Sequence, residues 1–202
     1  METGGASKSP LSAVILAGGR SVRLGTDKAL IPWLGRPLIE TVLDRVSRVA
    51  ADLIAVTNAP DLLEHLPARL VPDVVPGAGS LGGILSGLLA ATNEHSLVVA
   101  CDMPFLDVEL LRHMAALSRE YDVLVPHLAE GIEPLHAIYS NACIEPIREV
   151  VNRGGRRIVE FFPRVRVRYI EQEVIDRFDP HHLSFFNINT PEDLERALRL
   201  SE

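Results

Sequence analysis

Short apolar runs alternate along this chain with stretches of helical spacing, the pattern of an α/β domain built on a largely parallel sheet. The run Ala13-Val14-Ile15-Leu16 is too short for a helix and stops at Ala17-Gly18-Gly19, so it reads as a buried strand. Over residues 37–49, Leu38, Val42, Leu43, Val46 and Val49 recur at helical spacing while Glu40, Asp44, Arg45 and Arg48 take the other face, which predicts an amphipathic helix. Residues 53–56 predict the next strand, 61–66 a short helix, and 70–71 a short strand ending at Pro72-Asp73. The stretch 74–80, with Pro76, Gly77 and Gly79, predicts a loop before helical spacing resumes over 82–91. Residues 96–100 predict a strand with Cys101-Asp102-Met103-Pro104 at its carboxyl end, then a helix to Leu117 that Asp107 can cap. Two further strands, at 121–125 and 135–139, precede a helix over 144–151 that stops near Gly154-Gly155. Residues 164–170 alternate charged and apolar side chains, as a strand with one wet face does. A last strand-like run at 185–188 leads into a helix over 191–200, opened by Pro191 and capped by Asn189 or Thr190.

Composition narrows the class. The chain has 202 residues, 47% of them hydrophobic, enough to close one substantial core. We expect one domain over 11–202, preceded by a flexible Gly/Ser-rich tail at 1–10 that lacks the apolar segment of a signal peptide. No later run reaches the ~18 apolar residues of a membrane span. Twenty Lys plus Arg against 27 Asp plus Glu give a net charge of −7, the wrong sign for a protein held on a nucleic-acid polymer by phosphate neutralisation. The two cysteines, Cys101 and Cys143, fall in apolar runs and read as small buried hydrophobes in a reducing, cytoplasmic setting.

Two places carry chemistry. The first is the loop after the first strand, where Gly18 and Gly19 let backbone N–H groups come close to a phosphate and Arg20, Arg23 and Lys28 supply three cations. It has neither a three-glycine dinucleotide fingerprint nor the Gly-Lys-Ser/Thr ending of a P-loop, which counts against an oxidoreductase. The second is Asp102, a carboxylate just beyond an apolar strand, where open α/β sheets place their ligands. It either binds a magnesium ion, which takes hard oxygen ligands, or braces the turn before Pro104.

The stretch from Leu16 to Lys28 resembles the signature loop of the molybdenum cofactor guanylyltransferases, with Leu24 in place of the usual Met. Further resemblances follow in that family's order: Gly79-Ser80-Leu81-Gly82-Gly83-Ile84, Cys101-Asp102-Met103-Pro104, Pro134-Leu135-His136-Ala137-Ile138-Tyr139, Gly155-Arg156-Arg157 and Asn187-Ile188-Asn189-Thr190-Pro191-Glu192-Asp193-Leu194. The resemblance implies a single Rossmann-like nucleotidyltransferase domain, three-layer α/β/α, with a mostly parallel mixed sheet in which one strand is antiparallel. It implies transfer of GMP from GTP to molybdopterin, with or without molybdenum, and release of pyrophosphate, with Mg2+ as cofactor. Leu16, Ala17, Gly18, Gly19, Arg20 and Gly82 would line the nucleotide, Lys28 would hold the triphosphate, and Asn58 (or Thr57) and Asp73 would contact the nucleoside. Asp102, helped by Asn189, would bind the metal. Arg156 and Arg157, with Asn187 and Asn189, would receive the acceptor. The resemblance also leaves room for transient contacts with other proteins of molybdenum cofactor biosynthesis, with no membrane partner.

In this reading the nucleophile is an anionic phosphate oxygen, so no strong general base is needed, and Lys28, Arg23 and Asp102 act through positioning and charge. Lys28→Ala is expected to lower turnover with little loss of folding. Arg153, Arg156, Arg157, Arg164, Arg166 and Arg168 form a basic cluster with Glu160 as the nearby counter-charge, and the last three read as an exposed strand face. His181 and His182 read as surface residues, and His136 as either an acceptor-site or a core histidine. The competing readings are a cytidylyltransferase of the same fold and a noncatalytic GTP-binding module.

Overall fold

The computed structural model describes residues 10–18, 20–21 and 26–201. Alternation along β1 (Ser12–Leu16) sets the layering: Ala13 and Ile15 enter one core cluster, Val14 and Leu16 the other. Two short hairpins follow, β2 (Arg20–Ser21) with β3 (Thr26–Asp27) and β4 (Pro32–Trp33) with β5 (Arg36–Pro37). The second turns through Leu34 and Gly35, both at positive φ, as a two-residue hairpin loop requires.

The main sheet adds β6 (Asp52–Val56), β7 (Arg69–Val71), β8 (His95–Ala100), β9 (Val123–Leu128), β10 (Gly131–Ile132), β11 (His136–Ser140) and β12 (Val167–Glu171). Its order is β10-β9-β11-β8-β1-β6-β7, with β12 pairing β9 in parallel. The strands at the centre are parallel, with Leu16 opposite both Val56 and Ala100. β11 runs against β8 and β9, and β10 runs against β9, so two strands are reversed rather than one. On one face lie α1 (Leu38–Val46) and α3 (Val108–Ala116), burying Ile39, Val42, Leu110 and Met114. The other face carries α2 (Gly79–Ala90) and α4 (Ile144–Asn152). The chain closes with α5 (Gln172–Ile175) and α6 (Pro191–Leu200). This is the three-layer, mostly parallel α/β sandwich expected from the sequence. No helix among the described residues is long and apolar enough to cross a membrane.

Because β11 is reversed, α4 starts at the amino-terminal edge of the parallel strands, where Asn141 N donates to Glu94 O, and returns to their carboxyl edge. It ends there in Gly154, whose φ of 82° is open to glycine, with Gly154 N and Gly155 N donating to Val151 O and Val150 O.

Four local expectations are corrected. The helix expected at 61–66 is a single 3-10 turn, Pro60–Leu62, that stops within one turn of Pro60. The helix expected from Gly82 begins at Gly79, because Gly79 at positive φ turns the chain into it and shortens the loop. The strand expected at 164–170 begins only at Val167. Residues Ile158–Arg164 form a 3-10 segment, and the Asp122 carboxylate takes the N–H of Arg166. At 185–188 there is no strand: Asp179 accepts from Leu183 N and Ser184 N, which winds Leu183–Phe185 into a 3-10 turn.

α2 is buried along most of its length and lies close on the sheet through glycines at helical spacing. A Cβ on Gly87 would come within 2.2 Å of Val14 Cγ1, and one on Gly83 within 3.1 Å of Leu16 Cδ2. At the opposite, amino-terminal edge, Asp52 ties four segments together. Its Oδ2 accepts from Ser12 Oγ, Thr92 N and Thr92 Oγ1, and its Oδ1 from Arg69 Nη2. Burial alone would raise the Asp52 pKa, but the hydrogen bonds from Ser12, Thr92 and Arg69 together outweigh it and hold the carboxyl far below its usual range.

Gly87→Ala should lower stability by about 1–3 kcal/mol in denaturant unfolding, because overpacking against Val14 exceeds the gain in helix propensity; an unchanged midpoint would overturn this packing account. Asp52→Asn should be destabilising at neutral pH. Since a depressed carboxyl pKa contributes stability above its unfolded value and loses it as pH falls, the gap to the wild type should narrow steadily below about pH 4, as thermal unfolding across a pH series will show.

Candidate active site

The carboxyl edge of the central strands carries the densest convergence of predicted residues. Asp102 follows β8 and is 5% exposed, with its backbone continuing the edge: Cys101 N donates to Leu16 O, and Ile188 N donates to Asp102 O. Lys28 Nζ donates to Asp102 Oδ2 at 2.7 Å and to Asn189 Oδ1 at 2.5 Å. Three residues separated by up to 161 positions therefore meet at one point.

Local chemistry holds each of them. Asp27 Oδ1 accepts from Ala29 N and caps the 3-10 turn Lys28–Leu30, whose Ala29 is buried in the core. Asn189 precedes α6, where Thr190 Oγ1 accepts from Asp193 N while Asp193 Oδ2 accepts from Asn189 N and Thr190 N. Thr190, of the two expected caps, is the one used. Beneath this knot, Trp33, Phe105 and Phe186 stack edge to face at 5.6 and 5.9 Å, and Arg196 lies over Phe186. The aromatic cluster thus joins the segments bearing Lys28, Asp102 and Asn189.

These oxygens suit a hard divalent cation. Asp102 Oδ1 is buried without a hydrogen-bond partner among the described residues, and Asp102 Oδ2 and Asn189 Oδ1 already converge on a cationic group. Among the described residues no cluster of three or more His, Cys, Asp or Glu could hold a metal by itself. Two protein oxygens could hold a cation that completes its shell with water and substrate phosphate, as magnesium commonly does. The pairing also changes one expectation: alanine at Lys28 would leave a buried carboxylate without its cation, so folding is not spared.

Beside the knot lies an open cleft of about 360 Å³, walled by Leu16, Gly18, Val56, Thr57, Asn58, Asp73, Gly77, Gly79, Ser80 and Gly83. Asn58 Oδ1 accepts from Asp73 N, and Asp73 Oδ1 accepts from Val75 N and Ser86 Oγ. That leaves Asp73 Oδ2 without a partner among the described residues. The first turn of α2 opens into the cleft with no acidic residue and no side-chain cap, so its backbone N–H groups remain for an anion.

Of the residues expected to line the nucleotide, Leu16, Gly18, Asn58 and Asp73 do line this cleft. Ala17 does not: its side chain is in the opposite core cluster and its N–H donates to Val56 O. Gly82 lies behind the wall, where a Cβ would meet Ala78 Cβ at 2.9 Å, and Gly83 takes the lining position instead. Val56 was not singled out, and Gly77, Gly79, Ser80 and Gly83 were read as loop and motif without a contact role; the positive φ of Gly77 and Gly79 is the signal their Pro-Gly-Ala-Gly sequence offers. Gly19, Arg23 and the side chain of Arg20 lie outside the described residues.

Arg156 and Arg157 are exposed at the carboxyl-edge end of α4, their backbone N–H groups held by Glu160 Oε1 and their side chains without an ion pair among the described residues. Asn187 donates from Nδ2 to Phe185 O in the segment that docks on Asp102. Of the other four arginines of the cluster, Arg168 donates to Ser118 O and three face a carboxylate of this chain. Arg164 pairs with Glu149, Arg153 approaches Glu160 at 4.0 Å, and Arg166 pairs with Asp122, whose carboxyl it holds below the usual range. Sequence reading saw Glu160 and missed the other two, which are remote in the chain.

Neither cysteine is a nucleophile: burial, reinforced by Asp102 and Asp27, pushes the Cys101 thiol well up, and burial raises Cys143 to about 12. His136 is fully buried against Phe185, and neither ring nitrogen has a partner among the described residues. Burial lowers its pKa to about 4, with Asp179 pulling the other way, so it is a neutral core histidine. His182 pairs with Asp176 and His181 is exposed.

Known proteins share this architecture and sequence. A protein of Pelotomaculum thermopropionicum, named probable molybdenum cofactor guanylyltransferase, is 39% identical over 191 residues, covering 95% of this chain and 93% of its own length. The molybdenum cofactor guanylyltransferase of Desulfosudis oleivorans is also 39% identical over 191 residues, covering 93% of this chain and 94% of that one. The crystal structure of molybdopterin-guanine dinucleotide biosynthesis protein A from Archaeoglobus fulgidus superposes with a TM-score of 0.83 at 32% identity, over 94% of this chain and 98% of the other. Residues 13–171 match the family model of the MobA-like NTP transferase domain, and the chain belongs to that family.

Proposed function

We propose that this nucleotidyltransferase moves GMP from GTP to the phosphate of molybdopterin, forming molybdopterin guanine dinucleotide and pyrophosphate. The observation that carries the chemistry is the meeting of Lys28, Asp102 and Asn189 beside a glycine-walled cleft; the choice of GTP and molybdopterin rests on the relatives named above. A phosphate oxygen of the acceptor attacks the α-phosphorus of GTP, and the bond to the β-phosphate oxygen breaks as pyrophosphate leaves. The attacking oxygen is already anionic, so neither the raised thiols nor the neutral His136 is called on as a base.

The residues divide the work by position. Gly18, Gly77, Gly79 and Gly83 let backbone approach the nucleoside and its phosphates, and the first turn of α2 offers N–H groups. Asp73 Oδ2, without a partner among the described residues, suits the N–H edge of guanine, with Asn58 beside it. Lys28 holds the triphosphate, and Arg20 and Arg23 precede it in the same sequence motif. Asp102 and Asn189 would hold Mg2+, which when bound supplies charge neutralisation on the phosphates. Arg156 and Arg157, at the same edge of the sheet, would take the acceptor phosphate through paired guanidinium contacts. The buried free thiols fit a reducing cytoplasm, and transient delivery of molybdopterin by other cofactor-biosynthesis proteins belongs to the same reading.

The deciding experiment is pyrophosphate release from each of the four NTPs, with and without Mg2+ and molybdopterin. Release should require GTP, the metal and the acceptor together; release with CTP alone would overturn the base assignment, and none with any NTP would overturn the transfer itself. Asp102→Asn and Lys28→Ala should each lower turnover by roughly 10²–10³-fold, and Lys28→Ala should also cost about 1–3 kcal/mol in thermal unfolding. Arg156→Gln with Arg157→Gln should raise the KM for molybdopterin and leave GTP affinity unchanged, as steady-state kinetics and GTP titration will separate.

A further inference from the structure

Lys28 Nζ stands 2.7 Å from Asp102 Oδ2 and 2.5 Å from Asn189 Oδ1, the two oxygens proposed above to hold the metal. The ammonium group therefore takes the position that a divalent cation shared between those oxygens has to take. Both cannot be there together. A magnesium ion draws its oxygen ligands to about 2.0–2.1 Å, and an ammonium hydrogen-bonded to the same two oxygens would lie against it with like charge. We propose that Lys28 is the resident counter-ion of the metal position, and that ammonium and divalent cation exchange there, the triphosphate receiving the ammonium as the metal takes over Asp102 and Asn189. The inference rests on the metal assignment made above and adds to it a substrate-gated order of loading.

The surroundings favour exchange over a permanent ion pair. Asp102 is buried, so it needs a positive charge beside it whether or not substrate is bound. The Lys28 side chain is 23% exposed and extends from the short 3-10 turn Lys28–Leu30. Its flexible four-carbon stem can swing a point charge from one anion to another, which the planar fork of an arginine does less readily. The nearby Asp27 does not compete for the ammonium with Oδ1, which caps Ala29 N. Asp102 Oδ1, buried and without a partner among the described residues, is an acceptor the ammonium does not use. With Lys28 in place, a free metal ion is held weakly; once a triphosphate draws the ammonium off, the same oxygens bind the metal that accompanies it.

Manganese ion alone is the probe, with free Mn2+ counted by electron paramagnetic resonance against the full-length protein and its Lys28→Met and Lys28→Gln variants, each with and without Asp102→Asn. Lys28→Gln keeps a hydrogen-bond donor toward Asp102 and guards against loss of folding, which thermal unfolding will check. Both Lys28 variants should bind Mn2+ at least about tenfold more tightly than the wild type, the gain vanishing with Asp102→Asn, because removing the ammonium leaves a buried carboxylate for the metal. Mn2+ should also raise the Tm of Lys28→Gln more than that of the wild type. If folded Lys28 variants bind no more tightly than the wild type while Asp102→Asn still weakens binding, exchange is wrong and the metal assignment stands. If no protein binds Mn2+ through Asp102, with or without GTP, the metal assignment fails and the exchange fails with it.

Discussion

A carboxylate buried at the end of a central strand needs a cation, and the carboxyl edge of this protein is organised around supplying one to Asp102. Lys28 comes from the loop after the first strand and Asn189 from the start of the last helix, so satisfying one charge draws together both ends of the described chain. The interlocked rings of Trp33, Phe105 and Phe186 make that convergence rigid, and the hydrogen bond from Ile188 N to Asp102 O fixes its depth. Apolar packing thus provides the position, and electrostatics decides which side chains may occupy it.

Much of the fold was legible because strand and helix periods differ. Ala13 to Leu16 could only be a buried strand, and Leu38 to Val46 showed one apolar stripe, so their types and order could be read directly. Where reading failed, a remote side chain had captured the backbone: Asp179 wound up the segment at 183–185, and Asp122 took the N–H of Arg166 ahead of β12. Such contacts leave no local trace in composition.

The site divides in the same way. Asp102 and Lys28 were visible from their places beyond strands, and Asp73 and Asn58 through family resemblance. The side on which a residue falls was not visible. Ala17 and Gly82 sit within the expected stretches yet face the core or the back of α2, while their neighbours Gly18 and Gly83 form the wall. A shift of one residue moves a side chain to the other face of a strand and about 100° around a helix, so a motif locates a site more securely than it identifies its contacts.

The reversal of β11 gives the two helices on one face of the sheet, α2 and α4, opposite polarity at the same edge. α2 presents its amino end to the cleft, a partial positive charge built from backbone alone, whereas α4 arrives with its carboxyl end and a partial negative charge. The amino end of α2 offers a phosphate main-chain N–H groups, which substitutions other than proline leave in place as long as Gly79 keeps its turn. A phosphate approaching α4, as proposed for the acceptor, would meet the negative end of the helix, so its reception there would depend on guanidinium groups that sequence change can remove. On the proposed placement, the main-chain end would be hard to alter by substitution and the guanidinium end easily retuned.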